Sequence, residues 1–218
     1  MPQPREWVVD PMLRPGLSAM MTTLRHEEVP VEPIDQLDAV VPTLGDLVKG
    51  VRPDQLAAPT PCDEFTVRDL LGHFVGNVDR ISDGFRGEAI TDLAPRPEML
   101  GDDPGKTYDA VTADFGSRVR EPGAMERTIS LPPPFGEVPA PVLVRFVAFD
   151  FMMHSWDLAT ATGQAYSPPD ELVAEADGFA RQVIAPEMRQ PGVFGAEVAP
   201  PAGATPLERV VAFSGRQP

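Results

Sequence analysis

The sequence predicts a mainly α-helical protein, and three observations carry that reading. Apolar residues recur at three- and four-residue spacing in several separate stretches. Helix-capping residues open and close those stretches, and the 27 prolines fall mostly between them. With 218 residues the chain can form one generous domain, and a domain of roughly 150 residues already buries about 70% of its unfolded surface.

Residues 1–32 read as an extended N-terminal arm, because prolines recur there among mixed polar and apolar residues. The arm carries Trp7, Val8, Val9, Met12, Leu13, Met20, Met21 and Leu24, too apolar for a solvated tail, and is expected to dock on the rest of the protein. Residues 33–218 form the helical domain. Its first run, IDQLDAVVPTLGDLVKGV, has near-helical spacing, with Pro42 and Gly45 expected to bend it. PTPCDEF is a loop. Thr66 then stands as an N-cap, with Asp69 three residues on as a variant capping box. The helix that follows places Val67, Leu70, Leu71, Phe74, Val78, Ile81 and Phe85 on one stripe.

Residues 88–104 are rich in Pro, Gly and Asp and read as a loop. A third helix is expected over 106–120, with Tyr108, Val111 and Phe115 on its apolar side. ERTISLPPPFGEVPA is a proline-rich connection with room for an extended piece at 128–131. The fourth helix, about 141–162, is strongly apolar and stops at Gly163. Another is expected over 170–188, and the tail holds a helical patch at 207–213.

Composition narrows the function. Net charge is -15, from 18 basic against 33 acidic residues, with no basic patch to override it. Such a field repels phosphate backbones and anionic bilayers, so a nucleic-acid or membrane partner is not expected. No run approaches the ~18 apolar residues of a membrane helix. The N-terminus lacks a signal-peptide pattern, and the single cysteine, Cys62, leaves no intramolecular disulfide framework. The expected compartment is the cytoplasm, the expected partner a small molecule, and the expected state a monomer or homodimer.

Three histidines exist, at 26, 73 and 154. On a wheel of about 100° per residue, Asp150, His154 and Asp157 of the fourth helix fall among Leu143, Phe146, Val147 and Leu158, in the middle of the inward stripe. A buried carboxylate there needs a cation, a metal or several hydrogen bonds. Residues at i and i+4 share one face, so Asp150 and His154 can serve one ion, with an oxygen and an imidazole nitrogen that Zn, Fe, Ni and Mn accept. His73, on the edge of the second helix's stripe and one turn before Asn77, is the natural third ligand across the bundle. Three protein ligands leave a position open for chemistry. Other residues have plainer readings. A buried Asp–His pair is often a satisfied hydrogen bond and nothing more. His26, beside Glu27 and Glu28, reads as solvated, and Cys62 as a small packed loop residue with no nearby His in sequence. Met152 and Met153 read as core filler. Trp156, off the ligand face, is expected to pack against another helix.

Two segments add a resemblance. TPCDEFTVRDLLGHF (60–74) resembles the TPCxxWTVxDLLxHL segment of actinobacterial DinB-like metal-binding proteins, a group related to the N-terminal domain of mycothiol-dependent maleylpyruvate isomerase. FDFMMHSWDLATATGQ (149–164) resembles their second signature: a carboxylate, three residues, His, then xWDLAxATG. The closing stretch from Pro191 is also similar, so the resemblance covers roughly 33–218. It implies a DinB-like four-helix bundle with a C-terminal helix plus tail, and a divalent metal, commonly zinc, on His73, Asp150 and His154. It also implies thiol chemistry with mycothiol. The sequence departs from the isomerase in having Asp at 150 where that enzyme has Glu, Phe65 for the usual Trp, and no more than a tail in place of its separate C-terminal domain.

The expectation is a metal-dependent enzyme acting on a small electrophile with a low-molecular-weight thiol such as mycothiol, by isomerase or S-transferase chemistry. Asp157 would accept the thiol proton or orient His154. Arg216 or another late arginine would bind a substrate carboxylate. The alternatives are a metal-dependent hydrolase and a non-catalytic metal-binding bundle used as an interaction module.

Overall fold

Helix α1 (Pro33–Lys49) starts with Pro33 inside its first turn, where the missing N–H costs nothing, and runs on through Pro42 to Gly50. The computed structural model describes residues 32–62, 65–190 and 192–218. The expectations for the arm, His26 included, lie outside the described residues. Gly45, expected to bend α1, makes room for a ring. A Cβ there would sit 3.1 Å from Cε1 of Tyr108, whose hydroxyl donates to the Val41 carbonyl at 2.9 Å.

Helix α2 (Val67–Arg86) opens on the capping box expected at Thr66 and Asp69 and closes on Gly87, whose φ of 90° suits glycine. All seven of its anticipated stripe residues are buried. Helix α3 (Pro104–Arg118) is capped by Asp103, begins two residues before the expected start and buries Tyr108 and Phe115; Val111 is only partly buried. The proline-rich connection holds more than one extended piece. β1 (Thr128–Leu131) pairs antiparallel with β2 (Gly136–Pro139), and Ile129 and Leu131 turn inward while Thr128 and Ser130 face solvent.

β2 leads directly into α4 (Ala140–Thr162), which ends at Gly163 with φ 70°. Helix α5 (Asp170–Val183) is five residues shorter than expected. Pro186 cannot continue it, and Pro186–Met188 forms a separate short 3-10 turn. Helix α6 (Pro206–Phe213) completes the domain.

Helices α1 to α4 make the bundle: α1 lies along α4, α2 along α3, and α5 joins α4 to α6. This is the mainly α, four-helix architecture expected, with the C-terminal helix and tail added. Met152 and Met153 are buried core residues, and Trp156 packs partly buried against the core. Among the described residues no helix is long and apolar enough to cross a membrane.

The loop after α2 crosses back over that helix at its two central glycines. Arg96 donates its backbone N–H to the Gly72 carbonyl at 3.0 Å. A Cβ on Gly72 would lie 2.5 Å from the backbone nitrogen of Pro97, and one on Gly76 3.0 Å from Cβ of Arg96. Alanine normally gains about 1 kcal/mol over glycine inside a helix. Here the obstacle is backbone, which cannot swing aside, and overpacking of this kind costs about 1–3 kcal/mol. Gly72→Ala is therefore expected to lower the melting temperature, not raise it, as read by thermal unfolding beside the parent chain.

Candidate metal centre

Two helices and their caps bring the three candidate ligands together. The capping box fixes where α2 begins, and that start sets His73 two turns in, facing α4. On α4, Asp150 and His154 stack one turn apart. His73 Nε2 lies 3.2 Å from Asp150 Oδ2, and His154 Nε2 lies 3.3 Å from Asp150 Oδ1. The imidazoles meet edge to face with centroids 4.9 Å apart. One donor atom from each residue lies within 4.8 Å of the other two. Both imidazole nitrogens thus converge on one carboxylate, which offers each a different oxygen.

Access is graded. The His154 side chain is 7% exposed, that of His73 15% and that of Asp150 26%, so the cluster opens toward solvent on its Asp150 side. Phe65 lies 5.4 Å from the His73 ring and 6.4 Å from that of His154, centroid to centroid. Phe74 flanks both imidazoles at 6.2 and 5.8 Å. These rings leave the polar atoms in apolar surroundings, where charge interactions are strong.

The other nitrogen of each imidazole also has a partner. Asn77, one turn beyond His73, places its amide nitrogen 3.2 Å from His73 Nδ1, and an amide can serve either tautomer by turning over. His154 Nδ1 lies 2.7 Å from Asp157 Oδ2. Asp157 is fully buried, and its carboxylate accepts from Arg216: Nε to Oδ1 at 2.8 Å, Nη2 to Oδ2 at 2.8 Å.

Electrostatics follow from this layout. Burial pushes the Asp150 carboxyl up, but the two histidines facing it outweigh that and hold it well below the usual carboxylate range. Burial likewise pushes Asp157 up, and Arg216 and His154 bring it below normal. For His154, burial favours the neutral ring, yet Asp150 on one side and Asp157 on the other raise its pKa to about 9.

A cation suits the cluster of His73, Asp150 and His154: two imidazole nitrogens and a carboxylate oxygen are the donor set of catalytic zinc sites and of several other divalent ions. Asp157 on Nδ1 would hold the His154 proton there and leave Nε2 free to ligate. The three residues picked out in the sequence are the three that the fold assembles.

Two features were not foreseen, and one expectation is narrowed. Cys62, read as a packed loop residue, belongs with His154 and Asp157 to a second group whose donor atoms lie within 4.8 Å of one another. The Arg216 guanidinium sits in that group and opposes a cation there, so of the two groups only the one on the other side of the imidazole suits a cation. Arg216 itself, expected to meet a substrate carboxylate, is turned onto Asp157 behind the candidate ligands. Asp157, with no exposed surface and both oxygens engaged, cannot reach a thiol proton; of its two expected roles only the orienting one fits.

Comparison with known proteins places this geometry in context. The family model described as the mycothiol maleylpyruvate isomerase N-terminal domain matches residues 37–159. An uncharacterized protein found in two strains of Mycobacterium tuberculosis is 36% identical over 171 residues, 78% of this chain and 90% of that protein. A crystal structure of a histidine-to-alanine mutant of the mycothiol-dependent maleylpyruvate isomerase aligns with a TM-score of 0.52 at 13% identity, over 66% of this chain and 65% of that one. At that identity the likeness speaks for the fold alone.

Proposed function

The chain belongs to the mycothiol maleylpyruvate isomerase N-terminal domain family, and from that premise we propose that it is a metal-dependent enzyme joining a small electrophile to a low-molecular-weight thiol such as mycothiol. The observation that carries this reading is the convergence of His73, Asp150 and His154 at a point still open to solvent. Those three residues would hold the ion, with zinc the metal their chemistry favours. Bound there, the metal would supply Lewis acidity that makes a thiolate available at neutral pH.

The chain's own residues do the rest. Asp157 keeps the His154 proton on Nδ1. Phe65 and Phe74 shield the imidazoles and keep the reacting thiolate poorly hydrated. The thiolate adds to an activated double bond, forming a carbon–sulfur bond while a proton is taken up at the neighbouring carbon. Rotation about the new single bond, then loss of one proton from that carbon and of the thiolate from its neighbour, gives the isomer; retention gives an S-conjugate. Asp150, one methylene shorter than Glu, keeps its oxygens close to α4.

The test uses cobalt in place of the native ion. Adding mycothiol to the cobalt form is expected to produce a near-ultraviolet sulfur-to-metal band and to alter the visible bands. If thiols leave that spectrum unchanged while small esters or amides are hydrolysed, the open site activates water and the protein is a hydrolase. If neither reaction occurs, the bundle is a binding module.

A further inference from the structure

Asp157 connects the candidate ligand His154 to a residue far along the chain, beyond the range matched by the family model. We propose that Arg216 is a positioning residue of the metal centre, holding His154 in its ligating orientation through Asp157. The proposal rests on the metal reading above and goes beyond it, because it makes the segment after α6 part of the site.

The attachment has little freedom. Arg216 Nε approaches both carboxylate oxygens, Oδ1 at 2.8 Å and Oδ2 at 3.0 Å, while Nη2 reaches Oδ2 at 2.8 Å. A fork of this kind stops the carboxylate from rotating, which a single point charge would not do. Oδ2, gripped from behind, is the oxygen 2.7 Å from His154 Nδ1. Nη2 also comes within 3.3 Å of Nδ1. A guanidinium cannot accept a hydrogen bond, so the Nδ1 proton has Asp157 as its acceptor, and the guanidinium blocks the ring from swinging away from His73 and Asp150.

Arg216 is itself anchored. Its Nη1 donates to Ser214 Oγ at 3.0 Å, Ser214 Oγ donates to the Val211 carbonyl at 2.7 Å, and the Arg216 backbone N–H bonds the same carbonyl at 3.2 Å. Val211 is fully buried in α6. Gly215, with φ 97°, makes the turn and packs so closely on Gly195 that a Cβ would lie 2.6 Å from the Gly195 Cα. The chain of contacts therefore runs from the α6 core through Ser214, Arg216 and Asp157 to His154. A tie needed only for stability has no reason to end on the back of an imidazole that faces His73 and Asp150.

The experiment compares the full-length protein with Arg216→Gln, Arg216→Lys and Asp157→Asn. It measures zinc affinity by chelator competition, the visible spectrum of each cobalt form, and melting of each metal-free form. Arg216→Gln is expected to weaken zinc binding by about 10–100-fold, the usual effect of losing a group that orients a ligand, and to shift the cobalt bands. Arg216→Lys should recover part of the affinity, since charge returns without the fork. Combining Arg216→Gln with Asp157→Asn should add little to the larger single loss. Unchanged affinity and cobalt bands in Arg216→Gln, with only the metal-free melting lowered, would make Arg216 a structural tie and overturn the proposal. If Arg216→Gln does not fold, Arg216→Lys decides: parental affinity and bands would overturn it. Failure of the parent protein itself to bind zinc or cobalt would remove the metal reading, a result separate from any difference among variants.

Discussion

Replacing His154 by alanine is expected to strip the protein of most of its divalent metal, about one ion per chain in the parent. His73→Ala and Asp150→Ala should each weaken binding by at least the roughly 10–100-fold seen when a ligand's support is lost. His154 ranks first because it is the most enclosed of the three and has a carboxylate at each nitrogen, Asp150 at Nε2 and Asp157 at Nδ1, where His73 has Asp150 at Nε2 and only the Asn77 amide at Nδ1. Its loss removes a donor and also one of the two histidines facing Asp150, leaving that carboxylate to His73 alone. The Asp157–Arg216 pair stays intact in this variant, so the fold should survive. Elemental analysis of dialysed protein gives the measurement. Full metal occupancy in His73→Ala/His154→Ala would sink the ligand assignment.

How much of this was legible beforehand follows the range of the interactions. Asp150, His154 and Asp157 stood out because a helix repeats every 3.6 residues, so their intrusion into an apolar stripe is a local fact. His73 was legible because Thr66 and Asp69 fix where its helix begins. The second strand of the hairpin was not, since Gly136–Pro139 has four residues, one a proline, and is defined by its pairing with Thr128–Leu131. Nor was the partner of Asp157. Arg216 lies 59 residues away, and no periodicity or turn chemistry links the two; only the packing of α6 on α5, and α5 on α4, brings them together. Cys62 fails for the same reason: the histidine beside it is near in space and remote in sequence. Expectations tied to local geometry named residues that the fold brings together, whereas what stands behind those residues needed the fold.

Metal affinity and metal-free stability are expected to respond to pH in opposite directions, and both responses trace to His154. Asp150 and Asp157 raise its pKa to about 9 against an ordinary value near 6.5. In the metal-free protein the imidazolium lies between two carboxylates, so the stability it contributes is full below about pH 6.5 and is lost as pH rises through about 9. A metal needs the Nε2 position that this proton occupies. Below about pH 9, binding must therefore release the proton, and zinc affinity should climb about tenfold per pH unit from 7 toward 9 before levelling. Both carboxylates stay ionised throughout that window, because each is held below its usual range, and they add nothing to the slope. The metal-free melting temperature should thus fall from pH 7 to pH 10 while the increment given by a fixed excess of zinc grows. Metal-free His154→Ala should lack that His154-dependent part of the fall. Calorimetric titration at pH 7 in two buffers of different ionisation enthalpy counts the protons directly. Zinc affinity that stays flat between pH 7 and 9, with no proton released, would show that Nε2 of His154 is not the atom the metal takes.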